Sequence, residues 1–102
     1  MINKTRETIS STELQEWKRA GKEFLLVDVL PEQYYAQKHI EGAKNACVYE
    51  VAFLDKIIEL NPAKSTPIVV YGEREGFFAS ASAFTKLKAA GYTNVVELEG
   101  GI

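Results

Sequence analysis

The stretch Pro67-Ile68-Val69-Val70-Tyr71-Gly72-Glu73-Arg74-Glu75-Gly76-Phe77-Phe78 decides the fold. Its first five residues are apolar, rich in β-branched side chains and free of polar alternation. That is the pattern of a strand covered on both faces, as in a parallel sheet. A short loop bearing two glycines follows. From Phe78 to Ala90 the residues Ala81, Phe84 and Leu87 recur at helical spacing, and Gly91 closes the helix. Asn94–Leu98 (NVVEL) then reads as the next strand. Strand, glycine-bearing loop, helix and strand in that order describe a βαβ unit.

The same alternation extends toward the N-terminus. Phe24–Val29 (FLLVDV) is a second unbroken apolar run, and Ala43–Tyr49 (AKNACVY) a weaker one. Ser10 with Glu13 three residues later has the form of a capping box, followed by Leu14 and Trp17 as an apolar stripe and Gly21 as a stop. Pro31–Lys38 is a short helix with proline in its first turn. Glu50–Leu60 places Val51, Leu54, Ile57 and Ile58 on one helical face, and Asn61-Pro62 ends it. The expected order is helix, strand, helix, strand, helix, strand, helix, strand. It predicts a small α/β domain of three layers, a parallel sheet with helices on both faces.

The chain has 102 residues, which fits one domain over 1–102. Twelve basic and 14 acidic residues leave a net charge of −2, which supplies no basic face for nucleic acid. The single cysteine, Cys47, excludes an intrachain disulfide. The opening MINKTRETISSTEL lacks a signal-peptide apolar core, and no apolar run approaches the ~20 residues of a spanning helix. A soluble cytoplasmic chain, with no membrane partner, is the expectation.

In parallel sheets ligands bind beyond the carboxyl ends of the strands. Four segments qualify: Asp28-Val29-Leu30, Cys47-Val48-Tyr49, the loop Gly72–Phe77, and the tail after Glu99. The loop Gly72-Glu73-Arg74-Glu75-Gly76-Phe77 can aim backbone N–H groups at one anion, backed by a helix N-terminus, with Arg74 as a charged donor. Glu73 and Glu75 oppose that use, and an ordinary surface turn is the competing reading. Cys47 is expected to be a packed core residue; the sharper alternative is a reactive thiol activated by the same loop. Asp28 is expected to stabilise a turn rather than to serve as phosphoacceptor or metal ligand. His39 is expected to hold a turn through a hydrogen bond rather than to act in catalysis. Tyr34, Tyr35, Phe77 and Phe78 could form an apolar rim, but core positions are the expectation for most of them. No metal-ligand spacing, Walker loop or dinucleotide fingerprint is present, so no metal or cofactor is expected.

Two segments together resemble the rhodanese domain family. LLVDVLPEQYYAQKHIEGAKNA (25–46) has an Asp-Val pair ending a strand, a short helix with Glu and Tyr, and a His-Ile-x-Gly-Ala turn. PIVVYGEREGFFASASAFTKLKAAGYTNVVELEGGI (67–102) has the strand, the loop, a helix ending in Ala-Gly-Tyr, and a last strand ending in Glu-Gly-Gly-Ile. The resemblance implies transfer of a sulfane sulfur from a donor such as thiosulfate, carried as a persulfide on a cysteine at the first loop position.

Here that position is Gly72, which has no side chain to carry sulfur. Leu30 stands where the family commonly has arginine, and the loop counts about one residue longer than in common sulfurtransferases. The family domain usually continues past Gly-Gly-Ile into a Trp-bearing helix. The expectation is therefore a domain truncated at its C-terminal helix or part of a longer, multidomain chain. The leading expectation is a binding or regulatory module without sulfurtransferase activity, for a protein partner, a fused domain or a small anion. The alternatives are a sulfur carrier using Cys47 and a reversible oxyanion sensor using Arg74.

Overall fold

The computed structural model describes residues 8–60, 62–72 and 78–99. The elements, in chain order, are β1 (Thr8–Ile9), α1 (Ser11–Ala20), β2 (Leu25–Asp28), α2 (Glu32–Gln37), β3 (Lys44–Asn45), α3 (Phe53–Leu60), β4 (Ile68–Tyr71), α4 (Phe78–Ala89) and β5 (Val95–Leu98). One parallel sheet has the order β1-β5-β4-β2-β3. The α/β class, the parallel sheet and its two helical layers agree with the sequence expectation.

The middle of the sheet explains the unbroken apolar runs. All four residues of β4 and of β5 are buried, as are the last three of β2. On one face, Val27, Ile68, Val70 and Val95 pack with Phe53 and Ile57 of α3 and with Ala79, Ala83, Phe84 and Leu87 of α4. On the other, Leu26, Val69, Tyr71, Val96 and Leu98 pack with Leu14 and Trp17 of α1 and with Tyr35 of α2. Period-two alternation therefore sends one apolar set to each helical layer.

The first helix is bounded by its own side chains. Ser10 Oγ accepts from the Glu13 amide at 3.1 Å, and Glu13 Oε1 accepts from the Ser10 amide at 3.0 Å. Gly21, at φ 73°, ends the helix with its N–H on the carbonyls of Lys18 and Trp17. Only a residue tolerant of the left-handed region suits that position.

Three details differ from the sequence expectation. The edge strand β1 was not anticipated; two residues carry no period of their own, and pairing with Glu97 and Leu98 of β5 defines it. The third strand is confined to Lys44–Asn45 instead of spanning 43–49. Beyond it the backbone still bonds to the end of β2, through Ala46 N to Asp28 O and Val48 N to Val29 O, both at 3.0 Å. Helix α3 starts at Phe53, so Val51 lies in the preceding turn and is fully exposed, and Ile58 is also exposed. Phe53 and Ile57 supply the buried face instead.

The capping box yields a direct prediction. Ser10→Ala removes the acceptor for the Glu13 amide and is expected to cost about 1 kcal/mol of stability, read from the urea unfolding midpoint.

Candidate functional site

The register of the sheet brings the ends of the Asp28, Cys47 and Gly72 segments to one edge, and the tail after Glu99 lies outside the described residues. Asp28 pairs with Asn45 on one side and with Tyr71 on the other, so β2, β3 and β4 end level with one another. The Val29 amide donates to the Tyr71 carbonyl at 3.0 Å, which carries the pairing one residue past β2. Leu30 and Gly72 therefore leave the sheet side by side.

Asp28 is 1% exposed. Its Oδ1 accepts from the Leu30 amide at 2.9 Å, the short-range turn that reverses the chain after β2. Asn45 completes that turn by donating from Nδ2 to the carbonyls of Asp28 (3.0 Å) and Leu30 (2.8 Å). Oδ2 of Asp28 is buried and has no hydrogen-bond partner among the described residues. Burial raises the Asp28 pKa above the ordinary 3.8; the Leu30 amide, the Tyr71 hydroxyl and the charge of His39 pull it back only in part. The Tyr71 hydroxyl acts on Asp28 by proximity, while its own hydrogen bond is accepted from the Ile40 amide at 3.0 Å. Burial, and then the Asp28 charge, push the Tyr71 hydroxyl above its ordinary range.

The segment between α2 and β3 is tied down by aromatic groups. Tyr35 donates from its hydroxyl to the Ala43 carbonyl at 2.7 Å. The His39 ring stacks on Tyr35, with centroids 3.9 Å apart, and its Nδ1 lies 2.8 Å from the Tyr35 carbonyl. His39 thus fastens the turn that presents the Ile40 amide to Tyr71.

Gly72 is buried at the end of β4. A Cβ placed on it would lie 3.0 Å from the Cβ of Ala79 and 3.7 Å from both Leu30 Cδ2 and Val29 Cγ2. Ordinary carbon–carbon contact is about 3.5–4.0 Å, so the second residue of α4 crowds the place of any side chain here. Beside it, Leu30, Pro31, Tyr34 and Tyr49 line an apolar recess of about 370 Å³. Tyr34 is 51% exposed and Phe78 84% exposed, so these two are rim residues and not core; Tyr35 is half-buried. Tyr34 falls on the outer side of a six-residue helix that buries none of its residues. Phe78 opens α4, ahead of the turn that packs on the sheet.

The remaining expected loop residues, Glu73, Arg74, Glu75, Gly76 and Phe77, lie outside the described residues. Cys47 is 4% exposed, so the accessible thiol that a sulfur carrier needs is not found there. Its segment follows β3, and its carbonyl accepts from the Glu50 amide at 3.2 Å. No group of three or more acidic, histidine or cysteine side chains able to hold a metal occurs among the described residues. No described helix is long and apolar enough to cross a membrane.

One pair escaped the sequence reading. Glu97 is completely buried in β5 and accepts from Ser80 Oγ of α4 at 2.7 Å. The signal was present, since a carboxylate interrupts an otherwise apolar core strand at Val95-Val96-Glu97-Leu98. The pair couples the first turn of α4 to the sheet next to the Gly72 edge.

Residues 10–102 match the family described as rhodanese-like domain. The chain belongs to the rhodanese-like domain family. Among solved structures, this rhodanese-like domain resembles the Alr3790 protein from Anabaena sp., with 28% identity and a TM-score of 0.80, covering 92% of this chain and 80% of that one. It also resembles a thiosulfate sulfurtransferase from Pseudomonas aeruginosa, with 30% identity and a TM-score of 0.80, covering 93% of this chain and 17% of that one. Among curated proteins, the Centrosomal protein of 41 kDa from Xenopus tropicalis is 31% identical over 108 residues. That match takes in 98% of this chain, which spans 28% of the relative's length. The domain is thus related to sulfurtransferases.

Two predictions follow from the buried carboxylates. The folded Asp28 has a raised pKa, so its contribution to stability is fully present below about pH 3.8 and is lost as pH rises through the folded value. Asp28→Asn keeps the acceptor for the Leu30 amide and removes that loss. In urea melts between pH 4 and 8, the variant is expected to match or exceed the native protein at pH 7, with its advantage shrinking toward pH 4. Ser80→Ala withdraws a donor from a fully buried carboxylate and is expected to cost about 1–3 kcal/mol, also read from urea melts.

Proposed function

We propose that this rhodanese-like domain is a binding or regulatory module without thiosulfate sulfurtransferase activity. The observation that carries the reading is Gly72. It directly follows the buried strand β4, the position at which the family pattern places its sulfur-carrying cysteine. A residue without a side chain forms no persulfide.

Two further observations support the reading. The only thiol of the chain, Cys47, is buried, and nucleophilic thiols of this kind work as exposed thiolates. Leu30 stands where the family commonly has arginine, and it contributes an apolar wall in place of a charge for an anionic donor. The relatives differ in how much surrounds the domain, since this chain spans 17% of the Pseudomonas enzyme and 28% of the Xenopus protein. A module of a larger assembly, held to a protein partner or fused domain through its carboxyl edge, accords with that.

The test is the mass of the intact protein after incubation with thiosulfate under non-reducing conditions. The expected spectrum shows no added sulfur. A gain of one sulfur that maps to Cys47 would replace this reading with that of a sulfur carrier using a relocated thiol.

A further inference from the structure

Beyond the loss of the nucleophile, we propose that Ala79 is a second determinant of inactivity: its side chain occupies the space that any side chain at position 72 requires. The inference rests on the reading of Gly72 as the former nucleophile position, and it adds that restoring the thiol alone does not restore the chemistry.

The argument begins with distances. A Cβ on Gly72 would stand 3.0 Å from the Cβ of Ala79, well inside normal contact. Ala79 is completely buried and belongs to the cluster of Val27, Val29, Ala83, Phe84 and Leu87 that fixes α4 to the sheet. The next residue of the helix, Ser80, is held to the buried Glu97 by a 2.7 Å hydrogen bond. A side chain at position 72 can be admitted only if the first turn of α4 moves outward by a few tenths of an ångström against both constraints. The next nearest atoms among the described residues, Leu30 Cδ2 and Val29 Cγ2, are also apolar. The nearest described neighbours of that Cβ are thus all hydrocarbon groups, and apolar surroundings disfavour the charged, nucleophilic form of a thiol.

The chemistry to be restored is simple to balance. A thiolate attacks the outer sulfur of thiosulfate; a new S–S bond forms as the old one breaks. Sulfite departs with the bonding electron pair, leaving a persulfide anion on the protein. The attack needs both an ionised sulfur and a clear approach. Ala79 acts on both through the position of residue 72 and does not touch the donor itself. It is a positioning residue.

Two sets of variants test this in the full chain. The first reads the contact without any thiol, through Gly72→Ala, Ala79→Gly and the double variant. Gly72→Ala is expected to lower Tm by roughly 5 °C. Ala79→Gly is expected to be less costly in the Gly72→Ala background than in the native one, the signature of a direct contact. Additive effects would overturn the proposal.

The second set compares Gly72→Cys with Gly72→Cys/Ala79→Gly. The readouts are the pH profile of alkylation and the mass gained from thiosulfate, mapped to its peptide. The double variant is expected to alkylate at lower pH and to load sulfur at least tenfold faster than the single one. Equal loading by the two, or no loading by either folded variant, would overturn the role of Ala79. Neither result bears on whether the native protein takes up sulfur, because peptide mapping separates the introduced thiol from Cys47.

Discussion

The pairing of β2 with β4 is the constraint on which the rest of this domain depends. Leu25 faces Ile68 and Asp28 faces Tyr71, and four residues of continuous register hold the two strands level. Both strands are covered on both faces, so a slip of one residue would exchange the apolar sets of the two helical layers. With that register fixed, Leu30 and Gly72 lie side by side at the strand ends, with Ala79 of α4 against the Gly72 position.

Polar groups near this edge serve to hold turns in place. Asp28 Oδ1, the Asn45 amide, the Tyr35 hydroxyl and the Ile40 amide each satisfy a neighbouring backbone or side-chain group within one or two residues of a strand end. The nearest described groups around a Cβ at position 72, by contrast, are carbons of Val29, Leu30 and Ala79. The elements that specify this backbone are thus separate from the position at which the family pattern places its chemistry.

Much of this was legible in the residues. The runs FLLVDV and PIVVY lack polar alternation because helices cover them on both sides, and the Ser10–Glu13 spacing marked the start of α1 correctly. What escaped detection had no local signature. The strand at Thr8–Ile9 exists only through its partner β5. Val51 fits a helical stripe by spacing, yet the helix begins two residues later and leaves it in solvent. Tyr34 and Phe78 are large and apolar, which argues for the core, but each lies on a helix's first or outer turn where the sheet is out of reach. At the site itself, Gly72 was visible as a missing side chain. Its crowding by Ala79 was not, since the two residues are brought together by the docking of α4 and by nothing in their spacing.

The burial of Cys47 has a consequence for the conditions under which this domain can work. Oxidants, electrophiles and polysulfides attack exposed thiolates, and each climb of the sulfur oxidation ladder begins there. The only cysteine of this chain is 4% exposed, so such reagents meet a shielded thiol here. Modification of Cys47 is therefore limited by opening of the surrounding fold, in reducing and oxidising surroundings alike.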